Sequence, residues 1–208
     1  MKTLLILILS LFISNISYSN DYFNALELFN KKKINESVKL FQNVAKDEKH
    51  PKRSDAMYNL AVIFDNGFGI SANKTRALFY YEAASDLSNM YAQYNLGWKY
   101  YNGENVNKDV IKAFQLYKAA SEDGHPQAMY NLAHMYYSGI GTVKNLKLAY
   151  KTFLNAKISG INESNYFIDK ITREITPQEL LVLTEEFSSL IEEKIPLPVV
   201  SDGDIQRN

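Results

Sequence analysis

The chain has 208 residues, with 23 basic and 23 acidic side chains and no cysteine. Such a length allows one ordinary domain or a short repeat array, and the balanced charge excludes a general nucleic-acid binder, because counterion release needs a concentrated cationic surface. Without thiols, disulfide staples, thiolate zinc sites, cysteine nucleophiles and a lipid-modified cysteine anchor are also excluded.

Met1-Lys2 is followed by an apolar run from Leu4 to Ile13 and then by Ser17-Tyr18-Ser19. A membrane-spanning helix needs about 20 apolar residues, and this run is too short. One lysine, a short apolar core and small residues after it are the pattern of a secretory signal. Cleavage is predicted between Ser19 and Asn20, leaving no stable membrane anchor and a periplasmic or secreted protein. From Asn20 to Ala45 the pattern predicts a degenerate helix pair. Tyr22, Phe23, Leu26 and Phe29 are placed on the first helix, and Val38, Phe41 and Val44 on the second. A charged link, Lys46 to Arg53, follows.

Three segments then align without gaps at a spacing of 36. They read Ala56-Met57-Tyr58-Asn59-Leu60-Ala61, Ala92-Gln93-Tyr94-Asn95-Leu96-Gly97 and Ala128-Met129-Tyr130-Asn131-Leu132-Ala133. In each, a glycine comes eleven residues after the first alanine (Gly67, Gly103, Gly139), then two more alanines (Ala77 and Ala84, Ala113 and Ala120, Ala149 and Ala156). A period of this length marks a repeat architecture, and apolar residues at helical spacing on both sides of the glycine make each unit a helix pair. Asn73, Asp109 and Asn145 stand where a short polar side chain caps the second helix, and Pro126 suits a first helical turn. One pair cannot bury both faces, so the units must stack, with atypical ends. The repeats are predicted at 54–89, 90–125 and 126–161. C-terminal capping helices over 162–195 include a short helix around Phe167 and Ile171. They also include one opened by the capping box Thr176-Pro177-Gln178-Glu179, with Leu180, Leu183, Phe187, Leu190 and Ile191 along one stripe. Pro196 and Pro198 end regular structure, and the tail to Asn208 is predicted to be disordered.

The recurring A-x-x-N-L-[AG]-x-x-[FY]-x-x-G pattern resembles the Sel-like repeat family, relatives of the tetratricopeptide repeats with slightly longer units. Asn105 stands where the turns of the other two repeats have a second glycine, Ser88 replaces a terminal glycine, and Lys157 replaces a small residue. The resemblance implies an all-α fold, an α/α right-handed superhelix of stacked helix pairs, whose inner surface binds a protein or peptide. By analogy with the first helices of that superfamily, the groove is lined by Tyr58, Val62 and Asp65, then Tyr94, Trp98 and Tyr101, then Tyr130, His134 and Tyr137. Two readings of the recurrent tyrosine stand, groove contact or packing between repeats. The asparagines Asn59, Asn95 and Asn131 either hold a ligand backbone or satisfy adjacent backbone, and the second reading is preferred.

No chemistry is predicted. His50, His125 and His134 lack metal-ligand spacing, and no nucleophile elbow or phosphate loop is present, so no catalytic residue, cofactor or metal is assigned. Ser71-Ala72-Asn73-Lys74 matches one string of penicillin-recognising serine enzymes, but its two companion strings are missing. The alternative to a non-enzymatic scaffold is a β-lactam- or peptidoglycan-directed hydrolase of the cysteine-rich repeat type. Because this chain has no cysteine, that activity is not carried over. Similar exported bacterial proteins imply a role in envelope regulation or at a host interface.

Overall fold

A computed structural model describes residues 20–192, with side chains as far as Glu185. The predicted signal and the tail with Pro196 and Pro198 lie outside the described residues, as do the side chains of Phe187, Leu190 and Ile191. Regular structure among the described residues is entirely α-helical. In order the helices are α1 (20–30), α2 (Ile34–Lys46), α3 (Arg53–Asn66), α4 (Lys74–Asp86) and α5 (Met90–Asn102). They continue with α6 (Val110–Glu122), α7 (Pro126–Ser138), α8 (Leu146–Ile158), α9 (Ser164–Glu174) and α10 (Pro177–Glu192). The chain divides into two compact units, one ending at His125 and one beginning at Pro126.

In the first unit α3 packs on α4 and α5 on α6, while α2 leans on α3 and α4 on α5. In the second, α7 packs on α8 and α8 on α9. The repeated alanines explain these pairings. Ala56, Ala84, Ala92, Ala113, Ala120, Ala128, Ala149 and Ala156 are all fully buried, so helices meet at small side chains while Leu60, Phe64, Tyr81, Tyr117 and Phe153 fill the space between them. Each turn inside a pair closes in the same way. The backbone N–H groups of Asn73, Asp109 and Asn145 donate to the carbonyls of Phe64, Tyr100 and Tyr136, at 2.8, 2.9 and 2.8 Å. Their side chains accept from amides in the first turn of α4, α6 and α8, as the capping residues of the sequence require. At the next joint the N–H groups of Asn89, His125 and Ile161 donate to Ala84, Ala120 and Ala156. Helix α10 opens on its capping box: the Glu179 carboxylate accepts from the Thr176 N–H at 2.8 Å.

Two substituted turn positions keep the backbone of their glycine counterparts. Gly69 and Gly141 have φ of 66° and 67°, and Asn105 has 58°. Gly124 and Gly160 have 91° and 98°, and Ser88 has 57°. The packed helices on either side impose the left-handed turn even where a side chain makes it cost on the order of 1 kcal/mol.

On the first helix the expected Tyr22, Phe23, Leu26 and Phe29 do not all face the core. Phe23 is 53% exposed, and Ala25 is fully buried in its place. Tyr22, Ala25, Leu26 and Phe29 follow the i, i+3, i+4, i+7 spacing of one face, and Phe23 lies a residue off that face.

Candidate functional site

Within each unit, first helices of neighbouring pairs meet along seams, and most of the residues assigned to a groove stand on one. In the first unit the Asn59 amide donates to the Tyr22 hydroxyl at 3.1 Å. One repeat later Tyr58 shares a side-chain hydrogen bond with Asn95, so the same partnership recurs at the same separation. Burial raises the pKa of both tyrosines. Tyr58 also packs its ring on Tyr91 and Tyr81, at centroid distances of 5.7 and 6.3 Å. The Asn95 amide donates to the Tyr91 carbonyl at 2.8 Å. Asn59 and Asn95 therefore join neighbouring helices through tyrosine side chains, Tyr22 and Tyr58, while the Asn95 bond to the Tyr91 carbonyl stays within α5. Val62 is half-buried beside them, and its carbonyl accepts from the Asn66 amide at 2.9 Å.

Asp65 sits in a polar cluster that sequence reading missed. One carboxylate oxygen is 2.8 Å from Lys74 Nζ and the other 2.8 Å from Lys99 Nζ. The Lys99 side chain is only 6% exposed, reaches Glu104 at 3.0 Å and lies 5.6 Å from the Tyr81 ring centroid. Burial pushes the Asp65 pKa upward, but hydrogen bonds from Lys74 and Lys99 outweigh it and hold the carboxyl below its usual range. The Tyr81 pKa is pushed far above the usual phenol range, first by burial and then by the Asp65 charge. Lys74, from the serine-enzyme-like string, is thus occupied by Asp65, and Asn73 of that string caps α4.

Along α5 the picture differs. Tyr94 is half-buried and stacks on His125 at 4.4 Å, with 16° between the rings. Trp98, by contrast, is 42% exposed and Tyr91 46%. Tyr101 is half-buried, with the Lys108 ammonium 5.7 Å from its ring centroid. Tyr91, Trp98 and Tyr101 follow a helical i, i+7, i+10 spacing and make one aromatic stripe on α5. Tyr91 has Asp55 and Gln127 at its equivalent repeat positions, so alignment of the repeats could not single it out; helical periodicity could have.

In the second unit helix α9 lies over all three assigned residues. His134 meets Phe167 at 4.1 Å and Phe153 at 5.1 Å, and Tyr130 meets the same two rings. Phe153 and Phe167 stack at 5.0 Å. Burial lowers the His134 pKa. The Tyr137 hydroxyl donates to Glu174, and Lys144 and Lys170 lie 5.3 and 5.1 Å from its ring centroid. Ser164, first in α9, stands 36 residues after Ala128 and is fully buried, so α9 takes the place of another first helix in the repeat register. Among the described residues, no group of three His, Asp or Glu side chains converges to hold a metal ion. His50 accepts from the Lys52 N–H through Nδ1 at 3.0 Å.

The family model described as Sel1 repeat matches residues 54–89, 91–125 and 126–151. A crystal structure of a Sel1 repeat protein from Oxalobacter formigenes is similar, with 27% identity and a TM-score of 0.63, covering 70% of this chain and 58% of that one. A protective antigen present in uropathogenic Escherichia coli strains, displaying an SLR fold, is similar at 22% identity and a TM-score of 0.63. It is covered over 33% of its length by 76% of this chain. The chain therefore spans less than two thirds of either relative. No curated protein matches it.

Proposed function

The chain is a Sel1 repeat protein, and from that premise we propose that it is an exported, non-catalytic scaffold that binds a protein or peptide along the aromatic stripe of α5. Sel1 repeat proteins are generally protein-interaction scaffolds and typically non-catalytic, which supports this class of function. The single observation that supports the location is Trp98, 42% exposed on α5. In the first and third repeats Tyr58, Asp65, Tyr130, His134 and Tyr137 are engaged by neighbouring helices, whereas Trp98 and Tyr91 keep a large open surface. Aromatic side chains bury much area for little rotamer entropy, which is why they dominate binding hot spots. The open part of Trp98 amounts to about 100 Å². Covering it is worth about 2.5 kcal/mol at ~25 cal/mol per Å².

The Leu4 to Ile13 run and the small residues before Asn20 support export, and with it a periplasmic or secreted scaffold in envelope regulation or at a host interface. Two experiments test these statements. Immobilised full-length protein and its Trp98→Ala/Tyr101→Ala variant are presented to bacterial envelope extract. Loss of one specific partner by a variant of unchanged helicity supports the stripe, and an identical partner set refutes it. N-terminal sequencing of protein from the periplasm or medium should begin at Asn20, and retention of Met1 in a cytoplasmic fraction refutes export.

A further inference from the structure

A second surface of the first unit carries chemistry of its own. Between α2 and the turn that joins α3 to α4 lies a cleft of about 610 Å³, open to solvent. Its apolar floor is Val38, Phe64 and Ile70. Lys39 of α2 and Arg76 of α4 stand at its walls, and Asn35, Gln42, Ser71 and Asn73 complete the lining without any Asp or Glu.

The state of these groups matters more than their number. Arg76 lays its guanidinium 4.0 Å from the centroid of the Phe64 ring, and Phe64 in turn stacks on Tyr80 at 5.8 Å and 7°. A guanidinium held over an aromatic face is pre-positioned, and its N–H donors can take a bidentate acceptor at less entropic cost than a mobile lysine. Several nearby cations of this unit are instead held by carboxylates: Lys74 and Lys99 by Asp65, Lys52 by Asp55, Lys33 by Glu36. Lys39 and Arg76 have no carboxylate partner among the described residues. The Asn73 side chain uses its oxygen to cap α4, accepting from the Arg76 N–H at 2.9 Å, so its amide donors remain. Asn35 and Gln42 add further donors on the α2 side. The cleft thus offers two unpaired cations and several amide donors, with no fixed acceptor charge to oppose an anion.

We propose that this cleft binds the carboxylates of an acidic peptide segment, with Arg76 as the forked anchor and Lys39 as the opposing charge. A peptide suits the dimensions, since the volume lies within the range of ligand pockets and the floor is apolar enough for peptide carbon. Two cations match one or two side-chain carboxylates, whereas a phosphodiester chain calls for a longer basic track. The site is separate from the α5 stripe, so the failure of either surface leaves the other standing.

The probe is a fluorescein-labelled, C-terminally amidated octaglutamate, titrated by polarisation against full-length protein at 50 mM salt, beside an amidated octaglutamine. Octaglutamate should bind measurably tighter. Arg76→Gln and Lys39→Gln should each weaken it about five-fold, the upper end for one exposed ion pair. Lys118→Gln, remote from the cleft and paired with Glu122, should leave it unchanged. Amide-detected NMR of the same titration should shift the side-chain NH₂ signals of Asn35, Gln42 and Asn73. Equal binding of octaglutamine, or wild-type affinity in both cleft variants, overturns the proposal. Complete displacement by an equal concentration of inorganic phosphate also overturns it, making the cleft a general anion site.

Discussion

Replacing Lys99 with methionine tests whether a buried charge cluster holds the first two repeats together. Methionine keeps most of the side-chain volume and removes only the ammonium. A unit charge pair 2.8 Å apart gains on the order of 6 kcal/mol at an effective dielectric near 20. Several kcal/mol of desolvation offset that gain for an ammonium only 6% exposed. After the change Asp65 retains Lys74 at 2.8 Å, and Glu104, 36% exposed, returns to water. The loss should therefore fall below that of a fully stripped buried pair, at about 2 kcal/mol. Asp65 adds a pH signature. Its folded pKa is depressed, so the stability it contributes is complete above its unfolded value, near 4, and disappears as pH falls through the folded value. Wild type should lose more stability than Lys99→Met between pH 5 and pH 2. Urea unfolding followed by far-UV circular dichroism at several pH values gives both quantities, and an Asp65→Asn/Lys99→Met double-mutant cycle gives the coupling. A cost under 0.5 kcal/mol at pH 7, or equal acid sensitivity of the two proteins, would refute the reasoning.

Other predictions concern seams and turns. Asn59→Ala removes the amide that donates to Tyr22 and should cost about 1 kcal/mol in urea unfolding, with Tyr22→Phe non-additive with it. Ser88→Gly relieves a φ of 57° and should stabilise the chain by about 0.5–1 kcal/mol; a lower thermal midpoint would show that the turn carries no strain. His134 has a depressed pKa, so the stability linked to it is complete above its unfolded value near 6.5 and is lost as pH falls. His134→Phe should flatten the pH dependence of thermal stability between pH 7 and 5, and an unaltered profile would mean the imidazole is not buried against Phe153 and Phe167.

The repeat period made most of the architecture legible before any coordinates. Alanine every 36 residues, glycine after each first helix and a capping side chain before each second one are local requirements. They reappear as buried helix contacts, left-handed turns and capped N-termini. The capping box at Thr176 was equally legible. The sequence placed Tyr22, Phe23, Leu26 and Phe29 on one helix, but only packing selects the face that buries Ala25 and leaves Phe23 exposed. The groove assignment transferred a helix face but not its neighbours. A sequence repeat says that Tyr58 and Tyr130 share an environment without saying whether that environment is solvent or another helix.

What the sequence alone determined was the unit: its length, its two helices and the residues that end them, because these depend on contacts within some forty residues. What tertiary structure decided was which side chains remain available. Stacking buried Lys99 against Asp65, covered His134 with Phe167, and left Trp98, Lys39 and Arg76 open. That partition depends on which atoms from distant parts of the chain exclude water from one another, which no local pattern encodes.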